Sequence, residues 1–153
     1  HPSITPFDAF KAADGYLIIA AGNDGLFGKM CGAIDRSELA ENPLFANNAK
    51  RSEHQAALKD EIEQSLANQP VEHWLGVLET AGVPCGPIND VGQVLADPQV
   101  AARNMVVTSV DPVAGSLKMA GNPIKMSAFE DPQTRQAAPG LDADRNKIIS
   151  SLR

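Results

Sequence analysis

Residues 81 to 98 constrain the fold of this chain most, because they place glycine and proline at high density within one apolar segment. The run reads Ala-Gly-Val-Pro-Cys-Gly-Pro-Ile-Asn-Asp-Val, and Leu-Ala-Asp-Pro follows three residues later. Proline fixes φ and glycine tolerates backbone conformations that other residues avoid, so this composition specifies a defined backbone path. An amphipathic helical pattern comes directly before the run. The sequence therefore predicts a helix that ends at Gly82, followed by extended chain.

The first half of the chain predicts a strand pair followed by helices. Asp14-Gly15 is a hairpin-type turn between residues 7–10 and the apolar run 16–21, which predicts two antiparallel strands. Asn23 or Asp24 is placed to cap the next helix. Further apolar stripes at helical spacing predict one long helix from about Asn48 to Asn68 and another from about Pro70 to Gly82.

The second half predicts short helices followed by strands. A helix over residues 90–95 and a helical turn at Pro98 precede two strands, 105–110 and 116–120, that flank a turn. Residues 123–126 are predicted to be extended, 131–139 to cross the surface, and 142–152 to form a weak helix. The fold class that follows is α+β, a small antiparallel sheet with several helices plus a C-terminal extended segment and a weak helix.

Composition excludes two classes of function. The chain has 153 residues, 43% of them hydrophobic, and a net charge of −6, which argues against nucleic-acid binding since that requires a basic surface. No apolar run approaches the length of a membrane span, and no signal-peptide pattern opens the chain. Cys31 and Cys85 lie in apolar surroundings and are predicted to be buried free thiols, so a cytoplasmic location is expected.

No self-contained catalytic motif stands out. Phosphate-binding glycine motifs, zinc spacing and a nucleophile elbow are missing from the sequence, and His54 and His73 are expected on polar helix faces. Two groups remain as candidates. Gly22-Asn23-Asp24 opens a helix after a buried strand, where free N–H groups suit a carboxylate or thioester oxygen, although turn formation and capping explain the same residues. The second group lines a cleft or forms a rigid crossover, and it consists of Pro84, Cys85, Gly86 and Pro87.

Six segments, in order, resemble family III CoA-transferases, the group that includes formyl-CoA and carnitine CoA-transferases and α-methylacyl-CoA racemase. The matching segments are His1-Pro2-Ser3-Ile4 with Pro6-Phe7; Ala13 to Tyr16 with Ile19-Ala20 and Gly22-Asn23-Asp24 through Phe27; Asn42-Pro43, Phe45-Ala46, Asn48 and Arg51; Trp74 and then Ala81 to Pro87; Asp97 to Val100 with Arg103, Met105 and Val106; and Gly121 to Ser127.

The resemblance implies that residues 1–127 are the small domain of such an enzyme and that residues 128–153 return to a large domain absent from this chain. Family members form interlocked homodimers, and an aspartate of the large domain carries the acyl anhydride and then the CoA thioester. No catalytic residue is therefore expected here, and the chain alone is expected to be inactive. The family uses a CoA thioester as substrate and no permanent cofactor. The resemblance places Gly22, Asn23 and Asp24 nearest the thioester and residues 84–87 at the hinge side of the cleft.

Three interpretations stay open. The parent protein transfers CoA between an acyl-CoA and a carboxylic acid, or it is a racemase-type enzyme, in which an acidic residue occupies about the position of Asp24. Alternatively, the chain is a separate acyl-CoA- or protein-binding module. The start of the chain at His1, within a family motif, favours a piece of a longer enzyme. Residues 139–145 lack the His-Thr pair usual in the family, and an exposed apolar face is expected to promote self-association.

Overall fold

The computed structural model describes residues 1–152, and this part of the chain has an α+β fold. It divides into two compact units, the first spanning His1–Ile88 and the second beginning at Asn89. No helix among the described residues is both long and apolar enough to cross a membrane. The predicted α+β class is confirmed.

The first unit begins with the predicted antiparallel strand pair. Strand β1 (Phe7–Lys11) pairs with β2 (Tyr16–Ala20), and the N–H of Ala12 donates to the carbonyl of Gly15 at 2.9 Å to close the turn. Strand β3 (Cys85–Pro87) pairs antiparallel with the other edge of β2, which gives the order β1-β2-β3. The glycine- and proline-rich run thus contributes an edge strand.

In the sequence, the helices of the first unit come between strands β2 and β3. They are α1 (Asp24–Ala33), α2 (Glu38–Glu41), a 3-10 turn (Pro43–Phe45), α3 (Asn48–Glu53), α4 (Gln55–Leu66) and α5 (Val71–Thr80). Helix α5 ends as predicted, because Gly82, which follows the C-cap residue Ala81, has a φ of +70°, a conformation that favours glycine. The single long helix predicted for residues 48–68 was wrong. The chain turns at His54, whose φ of −109° and ψ of 29° separate α3 from α4.

The core of the first unit forms between β2 and the helices. Its fully or nearly fully buried side chains include Phe10, Leu17, Ile19, Phe27, Met30, Leu58, Ile62, Leu66 and Leu78. Trp74 of α5 belongs to the same core with 5% of its surface exposed, and its indole Nε1–H donates to the carbonyl of Leu66 at 2.9 Å. Because the buried indole N–H has an acceptor, the side chain packs without the cost of an unpaired polar group.

The second unit has shorter elements and a second sheet. It contains α6 (Val91–Ala96), α7 (Pro98–Ala102), β4 (Val106–Asp111), β5 (Gly115–Ala120), β6 (Thr134–Gln136) and α8 (Arg145–Ser151). The side chain of Asp90 accepts from Gln93 N–H and the side chain of Gln93 accepts from Asp90 N–H, a reciprocal cap that fixes the start of α6. Val107 and Ser109 of β4 are buried, whereas every residue of β5 is exposed.

One prediction for the second unit needs correction. The segment 131–139 contains strand β6, which pairs parallel to β4 and makes the second sheet mixed with the order β5-β4-β6. The segment 123–126, predicted to be extended, pairs with neither sheet in the described part of the chain, and it is followed by a turn in which Phe129 N–H donates to the Met126 carbonyl. Strand β6 was not predicted because it is polar and largely exposed at a sheet edge, so it lacks the alternating apolar pattern by which strands are predicted.

Candidate functional site

The loop between β2 and α1 is built from Ala21, Gly22 and Asn23. The side chain of Asn23 caps α1, since its Oδ1 accepts from the N–H of Leu26 at 2.8 Å, while its extended backbone turns the chain out of the sheet. Asp24 is the first residue of the helix. Asn23, one of the two residues predicted as the cap, is therefore the cap.

A buried arginine on α3 holds this loop from within the protein. The side chain of Arg51 is 0% exposed, and its Nη2 donates to Asp24 Oδ1 at 2.8 Å and contacts the Gly22 carbonyl at 3.5 Å. Its other two nitrogens are bound to the protein framework. Nε donates to the carbonyl of Thr5 at 2.8 Å and Nη1 to the carbonyl of Phe45 at 3.1 Å. All three guanidinium nitrogens are thus satisfied, which is what allows a cation to be buried.

The N-terminal segment forms one wall beside the loop. Asn48 Oδ1 accepts from Thr5 N–H at 3.0 Å, and Asn48 Nδ2 donates to the Ser3 carbonyl at 2.8 Å. The loop and this segment are in close contact, because a Cβ on Gly22 would lie 2.0 Å from Cγ2 of Ile4. Three segments that are far apart in the sequence, around residues 1–6, 22–24 and 45–51, therefore meet at Arg51.

Asp24 differs from Arg51 in its exposure to solvent. Its side chain is 70% exposed, although one of its carboxylate oxygens is bound to a fully buried cation. The charge of the guanidinium therefore fixes an anionic group at the surface of the loop. No acceptor for the backbone N–H groups of Asn23, Asp24 and Gly25 is found within residues 1–152, so the loop presents free donors beside one fixed carboxylate.

The second predicted group is part of the sheet. Cys85 lies opposite Ile19 and Pro87 opposite Leu17 in the pairing of β3 with β2, with Gly86 between them. The carbonyl of Pro84 accepts from the N–H of Ala20 at 2.9 Å, and Ala20 lies two residues before Gly22. These hydrogen bonds join the segment to β2, the strand that leads into the loop.

The thiols are not activated nucleophiles. Cys31 is buried, and desolvation in the apolar core raises its pKa to about 12. Cys85 is half-buried rather than buried as predicted; burial also raises its pKa, and its Sγ lies 3.9 Å from the carbonyl of Leu75. Both cysteines are free, as predicted. A thiol with a raised pKa carries little thiolate at neutral pH.

Histidines and metal ligands contribute no site in the described part of the chain. His54 is half-buried between α3 and α4, and His73 is exposed, with its ring packed edge-on against Trp74 at a centroid distance of 5.0 Å. No cluster of three or more His, Cys, Asp or Glu side chains able to hold a metal ion occurs among residues 1–152.

The sequence did not predict a cluster of charged side chains that the structure shows in the second unit. A cavity of about 750 Å³ is lined in part by Asn104, Lys125, Asp131 and Arg135. The carboxylate of Asp131 pairs with Lys125 and with Arg135, whose Nη2 lies 2.7 Å from Asp131 Oδ1, and the hydrogen bond from Lys125 lowers the pKa of Asp131. These residues are separated by irregular chain, so no periodic pattern brings them together in advance. The sequence did single out Arg51, by contrast, because residues 48–51 have the Asn-x-x-Arg spacing of one of the resembling segments.

Comparison with known proteins gives concordant matches. The family model for CoA-transferase family III matches residues 1–145. The acetyl-CoA:oxalate CoA-transferase of Acetobacter aceti is 45% identical over 142 residues, 93% of this chain and 35% of that protein. The succinyl-CoA:glutarate CoA-transferase of Homo sapiens is 33% identical over 135 residues, 88% of this chain and 31% of that protein.

Solved structures agree with the sequence matches. A CAIB/BAIF family protein from Brucella suis superimposes with a TM-score of 0.80 at 37% identity, covering 100% of this chain and 39% of that one. Rv3272 from Mycobacterium tuberculosis superimposes with a TM-score of 0.75 at 28% identity, covering 87% and 38% respectively. The chain spans about a third of the length of the curated relatives that it matches.

Proposed function

The chain belongs to CoA-transferase family III, and from this premise we propose that it supplies one side of an active site that moves CoA from an acyl-CoA to a carboxylic acid. The observation that carries the proposal is the Gly22–Asp24 loop, fixed by the buried Arg51 and offering free N–H groups. The names of the relatives support CoA transfer as the reaction class.

The reaction we propose proceeds through covalent catalysis by an aspartate outside this chain. Its carboxylate attacks the thioester carbonyl of the acyl-CoA, which forms an acyl-aspartyl anhydride and releases the CoA thiolate. The thiolate attacks the aspartyl carbonyl, giving aspartyl-CoA and the free donor acid. The acceptor carboxylate then attacks aspartyl-CoA, and the released thiolate attacks the acceptor's carbonyl in the new anhydride. The product acyl-CoA leaves and the aspartate is regenerated, with no proton consumed.

In this scheme the loop stabilises charge on the thioester oxygen. Each attack converts a carbonyl into a tetrahedral oxyanion, and preorganised N–H donors stabilise such an oxyanion more than they stabilise the ground state. The free N–H groups around Asn23 and Asp24 have the chemistry required, and they lie at the N-terminus of the ten-residue helix α1. Residues 84–87 are proposed to support the hinge side of the cleft through their pairing with β2.

The acceptor class we propose is a small dicarboxylic acid. The names of the relatives include oxalate, glutarate, mesaconate and D-citramalate as acids, with acetyl-CoA or succinyl-CoA as the CoA donor. The relative with 45% identity is named for acetyl-CoA and oxalate, so these two are the first substrates to test.

Two alternatives differ in what they predict. The exposed carboxylate of Asp24 suits proton transfer at the α-carbon of an acyl-CoA, as a racemase-type enzyme requires. Such an enzyme exchanges the α-proton for deuterium in D2O without an acceptor acid, whereas a transferase depends on the acid. A separate acyl-CoA-binding module would bind CoA tightly without turnover.

We also propose how this chain is organised within a larger protein. Residues 1–127 serve as the small domain and residues 128–153 return to a large domain, within an interlocked homodimer in the cytoplasm. The exposed apolar side chains of the second unit support contact with further protein surface, and they include Val91, Leu95, Leu117, Met119, Ile124 and Phe129. We therefore expect the chain alone to self-associate with rising concentration. A strict monomer at high concentration in sedimentation velocity would count against this.

A chimera tests the function. This chain replaces the matching segment of the acetyl-CoA:oxalate CoA-transferase of Acetobacter aceti, and formation of oxalyl-CoA from acetyl-CoA and oxalate is followed by chromatography. We expect turnover by the chimera and none by the chain alone. Calorimetry of CoA and acetyl-CoA with the chain alone is the companion measurement. Tight binding without turnover would favour the module, and a folded chimera without transfer would contradict the proposal.

A further inference from the structure

Arg51 joins the Gly22–Asp24 loop to parts of the protein that do not belong to it. Nε and Nη1 are bound to the carbonyls of Thr5 and Phe45, so the guanidinium plane has a fixed orientation before Nη2 reaches the loop. Only Nη2 contacts the loop, at Asp24 Oδ1 and the carbonyl of Gly22. The loop is therefore held by a rigid group whose position is set elsewhere.

The surroundings of Arg51 restrict its movement further. Its Cζ lies 4.6 Å from the centroid of the Phe27 ring, on the helix that follows the loop, and its side chain is fully buried. A planar guanidinium satisfies several acceptors in fixed directions, whereas a lysine ammonium is one point charge on a flexible stem. Lysine at this position could keep the charge but not all of these bonds.

We propose that Arg51 is a positioning residue for the transfer reaction and that Asp24 is the anchor by which it holds the loop, not a group that exchanges protons with the substrate. This inference rests on the proposed function. One oxygen of the Asp24 carboxylate is bound to Arg51, and the geometry needs an acceptor oxygen at that place rather than a base. An asparagine can supply the same acceptor oxygen.

Variants of the chimera separate anchoring from proton transfer. Asp24→Ala removes the acceptor and should lower kcat about thirtyfold with little change in KM, since misplacing a catalytic group by about 1 Å costs on the order of a hundredfold. Asp24→Asn keeps the acceptor and should lower kcat no more than about threefold. Arg51→Lys should resemble Asp24→Ala. Arg36→Lys is the matched control, because Arg36 joins elements of the same unit through Glu38 and Glu61 without touching the loop.

Two results would overturn the proposal. If Asp24→Asn is as damaging as Asp24→Ala, the ionised carboxylate itself takes part in the chemistry. If Arg51→Lys folds and leaves kcat at the wild-type value, the loop does not depend on the guanidinium. Should Arg51→Lys fail to fold, the comparison of the two Asp24 variants still decides, because Asp24 is exposed and its replacement leaves the core intact.

A measurement on the chain alone distinguishes failure of this inference from failure of the proposed function. The N–H groups of Leu26 and Phe27 donate to the side chain and the carbonyl of Asn23, so their hydrogen exchange reports on the loop. Asp24→Ala should accelerate this exchange about tenfold, more than it accelerates exchange of the β2 amides, which follow only the small loss of global stability. If Asp24→Ala accelerates hydrogen exchange in the loop but the wild-type chimera is inactive, the transferase function is refuted and the anchoring role of Asp24 is not. Unchanged exchange in both Asp24→Ala and Arg51→Lys would refute the anchor.

Discussion

Replacing Arg51 by methionine should lower the free energy of unfolding of the first unit by about 3–5 kcal/mol. The carbonyls of Thr5 and Phe45 belong to residues that are each 3% exposed, and both lose the donor that Arg51 supplies. Leaving a buried acceptor unpaired costs about 1–3 kcal/mol. The ion pair with Asp24 adds at most about 1 kcal/mol, because Asp24 is largely exposed and screened by solvent.

The loss of the contact between Arg51 and the Phe27 ring is nearly offset by the apolar packing of the new methionine side chain. Arg51 lies over the ring of Phe27, a contact that contributes about 0.5–2 kcal/mol, and methionine recovers part of this by apolar packing. The same reasoning predicts that Asp24→Ala costs only about 1 kcal/mol, since the guanidinium keeps its carbonyl acceptors. The two ends of one ion pair should therefore differ several-fold in their effect on stability.

Trp74 provides the assay. It is the only tryptophan in the sequence and is buried in the core of the first unit, so its fluorescence during urea unfolding reports on that unit. Arg36→Met is the control, expected to cost about 1 kcal/mol because its ion pairs are partly exposed. A loss below about 1 kcal/mol for Arg51→Met, or equal losses for Arg51→Met and Asp24→Ala, would refute the reasoning.

Three further predictions concern the loop and the core. Gly22→Ala should destabilise the first unit by about 1–3 kcal/mol, since its Cβ would meet the side chain of Ile4. Gly28→Ala, whose Cβ would have no atom nearby, should stabilise α1 by about 0.5–1 kcal/mol. Urea unfolding compares the two variants, and equal effects would contradict the close contact between Gly22 and Ile4. Asn23→Ala should cost about 1 kcal/mol by loss of the cap, and circular dichroism during urea unfolding checks it. Burial raises the pKa of Cys31 to about 12, so the native state retains its proton while the unfolded thiol ionises near 8.5. Stability should therefore fall as pH rises from about 9 to 12, and Cys31→Ala should remove part of that slope; identical slopes in the two proteins would contradict the shift.

The local features of the loop could be predicted from the sequence because they depend on near neighbours. The strand pair around Asp14-Gly15, the cap at Asn23 and the helix end at Gly82 all follow from turn and capping chemistry within a few residues. The structure confirms each of them. These features place a buried strand directly before a helix N-terminus, which is the frame of the candidate site.

The role of Arg51 could not be predicted in the same way. In the sequence it lies seven residues before Leu58, so in a continuous helix its charge would stand in line with the apolar stripe of Leu58 and Ile62. What makes its burial tolerable are carbonyls around residues 5, 22 and 45, which only the tertiary fold brings to it. Helix spacing alone predicted one continuous helix here, whereas the chain turns at His54.

The second unit was predicted less well because much of it carries little hydrophobic pattern. Strand β6 is polar and only three residues long, and it joins the sheet by parallel pairing with β4. The Lys125–Asp131–Arg135 cluster lies in chain without regular spacing before that strand and within it. Backbone pairing at a sheet edge depends weakly on side-chain type, so the sequence indicates it poorly.

Oxalyl-CoA formation by the chimera that carries this chain in the acetyl-CoA:oxalate CoA-transferase of Acetobacter aceti tests the central claim most directly. The account predicts acetyl-CoA- and oxalate-dependent turnover in the chimera, a large loss of kcat in Arg51→Lys, and no product from the chain alone. Turnover by the chain alone would contradict it, as would a folded chimera that binds acetyl-CoA and forms no oxalyl-CoA.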